Sequence, residues 1–484
     1  MRAMTLLVAV LLAVSALAFL ASAPSAQAAT TYLNDRLLES AGPTSAFGGG
    51  DYRFIEFGTD AAFGVVWGNA THANSIYVVA IKARYLGVGQ VYYASNGTLL
   101  KANQPVKVYT IYAAQLQDIV EYKDVTGDGV ANYTRTYNTT TKSWSNYAFS
   151  TDVGYKFVNL TANWVPGNVG RTNGSTYRTW TFNLTATSLA YYNITNKAKL
   201  TGGLPLVEFT FHLNASLVQI DNYSVPQWNI TVGQVGGHYI LTNVVHMSDL
   251  TLQSIKTVHY AVKWDQLIQG WTYDNRNNNA ATRRLLLESG TFVANYVPPD
   301  VIAGWALLHY FGDDGTAHYN TTAGPQTADN STGAFGSPHV FTSPMLDFGG
   351  SWTRIARFDW TTNSTVDNVT QPLVAQISGG FAFAYLDSKG LWYGFVLLVG
   401  LNYVGGSQII HDPTITADVN TDLAFQSLPT PPGGTPSPSN YGAVVVGIVI
   451  LVILVLAAYA MIVRSRRKQQ PPVPPTPPPP QPPQ

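Results

Sequence analysis

The run EYKDVTGDGVANYT, Glu121 to Thr134, carries oxygen atoms at the spacing of a calcium loop. Such a loop takes ligands from positions 1, 3, 5, 7 and 9, a glycine at 6 and a bidentate acid at 12. Counted from Asp124, the ligands are Asp124, Thr126, Asp128, the Val130 carbonyl and Asn132, with Gly129 at position 6. Position 12 is Arg135, a cation where the strongest carboxylate belongs. Two carboxylates support only weak calcium binding, in the range of about 10⁻⁴ to 10⁻³ M. Glu121 adds a third only if the chain curls it back to the loop. The competing reading is a hairpin. Gly-Asp-Gly tolerates φ > 0 at the tip, and QDIVEY and NYTRTY flank it as strand-like runs. The hairpin is the preferred reading. The sequence requires no cofactor, and weak calcium is the only one it raises.

A second segment, GWTYDNRNNNAATRR, crowds Trp271, Tyr273, Asp274 and Arg276 with several asparagines between two apolar runs. An aromatic platform with amide and guanidinium groups suits a sugar ring or a partner chain. The plainer reading is a long surface loop whose asparagines accept unusual φ. Elsewhere the chain lacks a G-x-S-x-G elbow, an H-E-x-x-H pair and a P-loop. It contains no cysteine, hence no thiol nucleophile and no cysteine-rich zinc site. Its nine histidines are scattered, and His212 and His259 fall within strand-like runs. Paired carboxylates for glycoside hydrolysis meet only in three dimensions. Glu56, Glu121, Glu208 and Glu288 are the glutamates in strand-like runs, and no motif promotes any of them.

The elements that must position these residues read as strands. TWTFNLTA alternates Trp180, Phe182, Leu184 and Ala186 with polar neighbours. VEFTFHLN and QWNITV repeat the pattern. Period-two alternation marks strands with one wet and one buried face, the habit of antiparallel sheets. The expected fold class is all-β: an antiparallel β-sandwich ectodomain on a Pro-rich stalk with one C-terminal transmembrane helix. Its length favours two β-rich units, 29–246 and 247–428, with the cut near Met247; one large sandwich is the alternative.

The ends define the expected topology. Residues 1–28 read as a secretory signal, with Arg2, an apolar run and the small-residue site Ala26 to Ala28. Residues 429–440 form a Pro/Gly/Ser stalk, able to reach roughly 35 Å at about 3.1 Å per residue. The span 441–463 holds Gly442 to Val463 without a charge, long enough for a hydrocarbon core of about 30 Å. Residues 464–484 open with Arg464, Arg466, Arg467 and Lys468, a cluster that stays cytoplasmic, and end in polyproline. The ectodomain then faces outward with 22 basic residues against 27 acidic ones, about −5, and no basic stripe for nucleic acid.

Asn-x-Ser/Thr occurs at Asn69, Asn96, Asn132, Asn138, Asn159, Asn173, Asn183, Asn193, Asn214, Asn222, Asn229, Asn320, Asn330, Asn363 and Asn368. Composition alone would produce roughly five such triplets. Asn183 and Asn229 lie on the polar parity of their strands, the face a glycan needs. No sequon falls between Val232 and Tyr319, so that segment is expected to supply buried strands or a contact face. A cysteine-free, sequon-rich surface protein fits an archaeal envelope. The expected function is that of a single-pass, N-glycosylated cell-surface protein with a structural, adhesive or recognition role, with glycan or envelope-protein partners. A surface-tethered polysaccharide hydrolase or lyase is the alternative. A hinged solute receptor is disfavoured by the lack of β-α alternation.

Overall fold

The computed structural model describes residues 37–45, 48–57, 61–138, 143–235, 238–297, 317–321, 324–328, 339–340, 345–348, 356–387 and 390–420. The signal, stalk, membrane span, tail and Asn330 lie outside the described residues. Every named element is a strand. No helix among the described residues is long and apolar enough to cross a membrane.

Alternation decides the faces. Along Tyr177–Asn193, Trp180, Phe182, Leu184 and Ala186 are buried, while Thr181, Asn183 and Thr185 are partly exposed. In register, Phe182 faces Phe211 of Lys199–Val225, and Phe211 faces Trp264 of Leu250–Gln269. This apolar face meets a second layer. Phe63 stacks on Tyr260 at 4.7 Å between centroids, and Trp67 packs on Phe182 at 5.7 Å. Two sheets each dry on one face must bury those faces against each other, which makes a sandwich.

The second layer runs through Gly50–Phe57, Ala61–Trp67, Ile76–Tyr93, Leu99–Lys123, Arg283–Val297, Gly390–Val404 and Val374–Asp387, each antiparallel to the next. The first continues from Leu250–Gln269 into Gln408–His411 and Thr414–Asn420. Val153–Asn159 joins the layers by pairing with both Leu99–Lys123 and Tyr177–Asn193. Gln227–Val235 runs parallel to Ile76–Tyr93.

Ladders cross the expected boundary at Met247. Lys199–Val225 pairs with Leu250–Gln269 over most of its length, and Leu99–Lys123 pairs with Arg283–Val297. The sequon-free segment supplies two strands with neighbours on both sides. In one of them Leu285, Leu286, Leu287 and Glu288 are buried in succession, so neither face there is wet.

Candidate functional site

The loop after Lys123 is built by its own carboxylates. Asp124 is fully buried, and its oxygens accept from Gly127 N at 2.7 Å, Gly129 N at 3.0 Å and the Thr126 hydroxyl at 3.3 Å. Arg284 stands 3.4 Å from the same carboxylate. Gly127 and Gly129 have φ of 76° and 78°, which a side chain would strain. Asp128 accepts from Val130 N at 3.0 Å, and Asn132 donates to Asp152 at 3.2 Å. Asp124 and Asp128 thus face backbone amides, and Asn132 faces Asp152. No group of three or more His, Asp or Glu is placed to hold a metal ion among the described residues. The hairpin reading needs correction. Tyr133–Thr134 pairs with Ala148–Phe149, and the end of Leu99–Lys123 pairs with Arg283–Val297 and Val153–Asn159, so the loop's two flanks do not pair with each other. The chain turns inward instead, and Ala131 N donates to Gln376 at 3.0 Å.

The second predicted segment is docked onto Glu121. That carboxylate, fully buried, accepts from Trp271 Nε1 at 3.1 Å, Asp274 N at 2.9 Å and Asn277 Nδ2 at 3.0 Å. Lys156, its cross-strand partner, places Nζ 3.7 Å away and 4.0 Å from the Tyr191 ring centroid. Burial pulls the Lys156 pKa down, with Glu121 opposing. Trp271 is 4% exposed, so its ring cannot serve as an open platform. Tyr273 donates to the Gly406 carbonyl and lies under Arg283. Asp274 and Arg276 form a two-pronged pair at 2.8 and 2.9 Å, which holds the Asp274 pKa down at about 2. The four residues are brought together as a strapped loop, not as an open cleft. His212 likewise has a partner, Asp265 at 2.9 Å.

The open cleft lies on the other side of the same strand. Asp118 of Leu99–Lys123 sits in register between Asn159 and Glu288, one on each neighbouring strand. A bulge follows: Ser289 faces Leu116, so Gln117 is the extra residue. Bulges re-aim side chains where a regular ladder would not. Tyr147 donates toward both acids, 2.8 Å from Asp118 Oδ2 and 3.1 Å from Glu288 Oε1. Arg135 binds Glu288, stands 3.6 Å from Asp118 and stacks 4.3 Å over the Tyr147 ring. Tyr133 closes the remaining oxygen of Glu288. Asn159 Nδ2 donates to Asp118 Oδ1 at 3.1 Å, and its Oδ1 accepts from Thr161 N at 2.7 Å.

Burial, and then the charge of Glu288, push the Asp118 pKa up to about 6 against the pull of Arg135. Burial works against the Arg135 charge, but Glu288, Tyr147 and Asp118 together raise its pKa. Over this floor opens a cleft of about 480 Å³, lined by Asp118, Tyr147, Phe157, Asn159, Tyr192 and Lys197 among others. Phe157 sits between the rings of Tyr147, at 6.2 Å, and Tyr192, at 5.6 Å. Glu288 is fully buried and does not line it. Sequence reasoning missed Asp118, Arg135 and Tyr147. The available signal was a carboxylate inside each of two apolar strand runs, since a buried acid requires a partner.

Side-chain exposure is described for twelve of the fifteen sequon asparagines, and none is buried. Three other asparagines, Asn74, Asn277 and Asn402, are buried, and none of them lies in a sequon. The side chains of Asn138, Asn320 and Asn330 lie outside the described set. Comparison of the chain with protein-family models, curated proteins and solved structures finds no match.

Proposed function

We propose that the chain is a single-pass, N-glycosylated cell-surface protein whose β-sandwich ectodomain serves recognition in the envelope. One observation carries this reading: among the described residues no sequon asparagine falls in the buried class, while the buried asparagines lie outside sequons. A glycan on a buried amide is sterically impossible, so a chain that carries glycans must keep its sequons outside. The signal at 1–28, the apolar Gly442 to Val463 and the basic cluster after it support an outward ectodomain and an inward tail. Glycopeptide mass spectrometry of the purified full-length chain tests the reading. Occupied sequons at Asn96, Asn173 and Asn222 are the expected result, and bare sequons throughout would overturn it.

The hydrolase alternative rests on the Asp118–Glu288 pair. A retaining pair works at about 5 to 5.5 Å with substrate between the acids. Here the Tyr147 hydroxyl and the Arg135 guanidinium stand between them. That geometry favours binding over hydrolysis. A saccharide array read for both retention and product release separates the two, and release of reducing ends would move the assignment to the hydrolase.

A further inference from the structure

We propose that the cleft over Asp118 is a saccharide site that takes a neutral sugar against the Tyr147–Phe157–Tyr192 wall, with hydroxyls directed to Asp118. The proposal rests on the recognition role above and names the chemistry of its ligand. Three features carry it. Phe157 packs at tilted angles between Tyr147, at 6.2 Å, and Tyr192, at 5.6 Å, and all three rings line the cleft. Such a run offers faces for the C–H side of a pyranose, and sugar polarity needs fixed acceptors and donors beside it. Asp118 supplies the acceptors. Asn159 and Tyr147 each hold one of its oxygens, so it is oriented, and although only 5% exposed it lines the cleft floor with a lone pair left for a hydroxyl. The volume, about 480 Å³, lies within the range for small-ligand pockets, roughly 300 to 1,000 Å³.

Charge narrows the class. Arg135 is bound to Glu288 and stacked on Tyr147, so its charge is already matched, and the exposed Lys197 lines the cleft together with the Asp118 carboxyl. A neutral hydroxylated ring fits this balance. An acidic sugar would meet Asp118. Lys197 is held at a φ of 58° in the turn after Asn193, an uncommon conformation for a lysine that brings it to the cleft.

Two sources provide this chemistry. Asn159 lines the cleft, and its amide is oriented at both ends, with Nδ2 directed to Asp118. A glycan on Asn159 begins at that nitrogen and fills the cleft in cis. A bare Asn159 leaves it open to a saccharide from outside.

The test uses the purified full-length chain on an array of neutral mono- to tetrasaccharides of hexoses and N-acetylhexosamines, together with glycopeptide mapping at Asn159. With Asn159 bare, the wild-type chain is expected to bind. With Asn159 occupied, binding is expected only in Thr161→Ala, which removes the sequon and keeps the Asn159 amide that orients Asp118. In either case Tyr192→Ala should weaken binding at least tenfold, while Tyr177→Ala, an exposed position outside the cleft, should not. The proposal is overturned by no retention in both wild type and Thr161→Ala, or by retention indifferent to Tyr192→Ala. Bare sequons throughout would remove the glycoprotein reading and the cis source, whereas free-saccharide binding at the cleft would stand without them.

Discussion

Two buried acids with opposite surroundings govern the residue scale. Glu121 is surrounded by donors, and removing its charge takes the counter-charge from Lys156 and one acceptor oxygen from the set formed by Trp271, Asp274 N and Asn277. Breaking a buried pair by losing one partner costs roughly 3 to 5 kcal/mol. Glu121→Gln is therefore expected to lower unfolding free energy by about that amount in urea titration, with the 270–282 loop becoming protease-sensitive. Asp118 behaves in the opposite way. Its folded pKa is raised from 3.8 to about 6, so the folded state holds the proton more tightly than the unfolded chain. Its contribution to stability is fully present below about pH 4 and is lost as pH rises through 6. The shift corresponds to roughly 3 kcal/mol. Asp118→Asn should thus stabilise the protein at pH 7.5 and change little at pH 4. Equal effects at both pH values would mean that the Asp118 environment is not the one described. His411, buried and held near 4, acts in the other direction, losing stability as pH falls from 6.5 to 4.

Parity organises the elements. Phe211 and Asn214 belong to one strand, but Phe211 faces the shared core and Asn214 is partly exposed. Truncating a buried aromatic costs roughly 3 to 5 kcal/mol, whereas surface changes stay within about 0.5 kcal/mol. Thermal denaturation of Phe211→Ala and Asn214→Gln should show that contrast, and similar losses would contradict the assigned faces. The loop from Asp124 to Asn132 has a comparable test. Its Asp124 oxygens are filled by the Gly127 and Gly129 amides, so millimolar calcium or a chelator is expected to leave Tm unchanged. A calcium-dependent rise abolished by Asp128→Ala would show that the loop opens to a cation.

At the scale of the whole molecule, the sandwich leaves its polar strand faces partly exposed and the twelve described sequon asparagines unburied. If the ectodomain stands outside the membrane, external protease should spare the tail from Arg464 in intact cells and cleave it only after permeabilisation. Cleavage without permeabilisation would reverse the orientation. A cysteine-free chain must stabilise such a domain through its core, and among the described residues the largest buried cluster takes in residues from Ile55 to Ile415, with three smaller ones beside it.

The sequence by itself determined the strands and their faces, because period-two alternation is a local property: Phe182 and Asn183 differ in environment for a reason written in their neighbours. It also marked the surface asparagines, since a sequon is three consecutive residues. The cleft was not legible. Asp118, Arg135, Tyr147 and Glu288 come from four separate stretches, and only strand pairing and one bulge bring them within hydrogen-bonding reach. The same holds for Trp271. Its loop resembled an open platform until Glu121, 150 residues away, accepted its indole N–H and drew the ring into the interior. Register across strands distant in the chain is a property of the assembled sheet, and tertiary structure alone decides it.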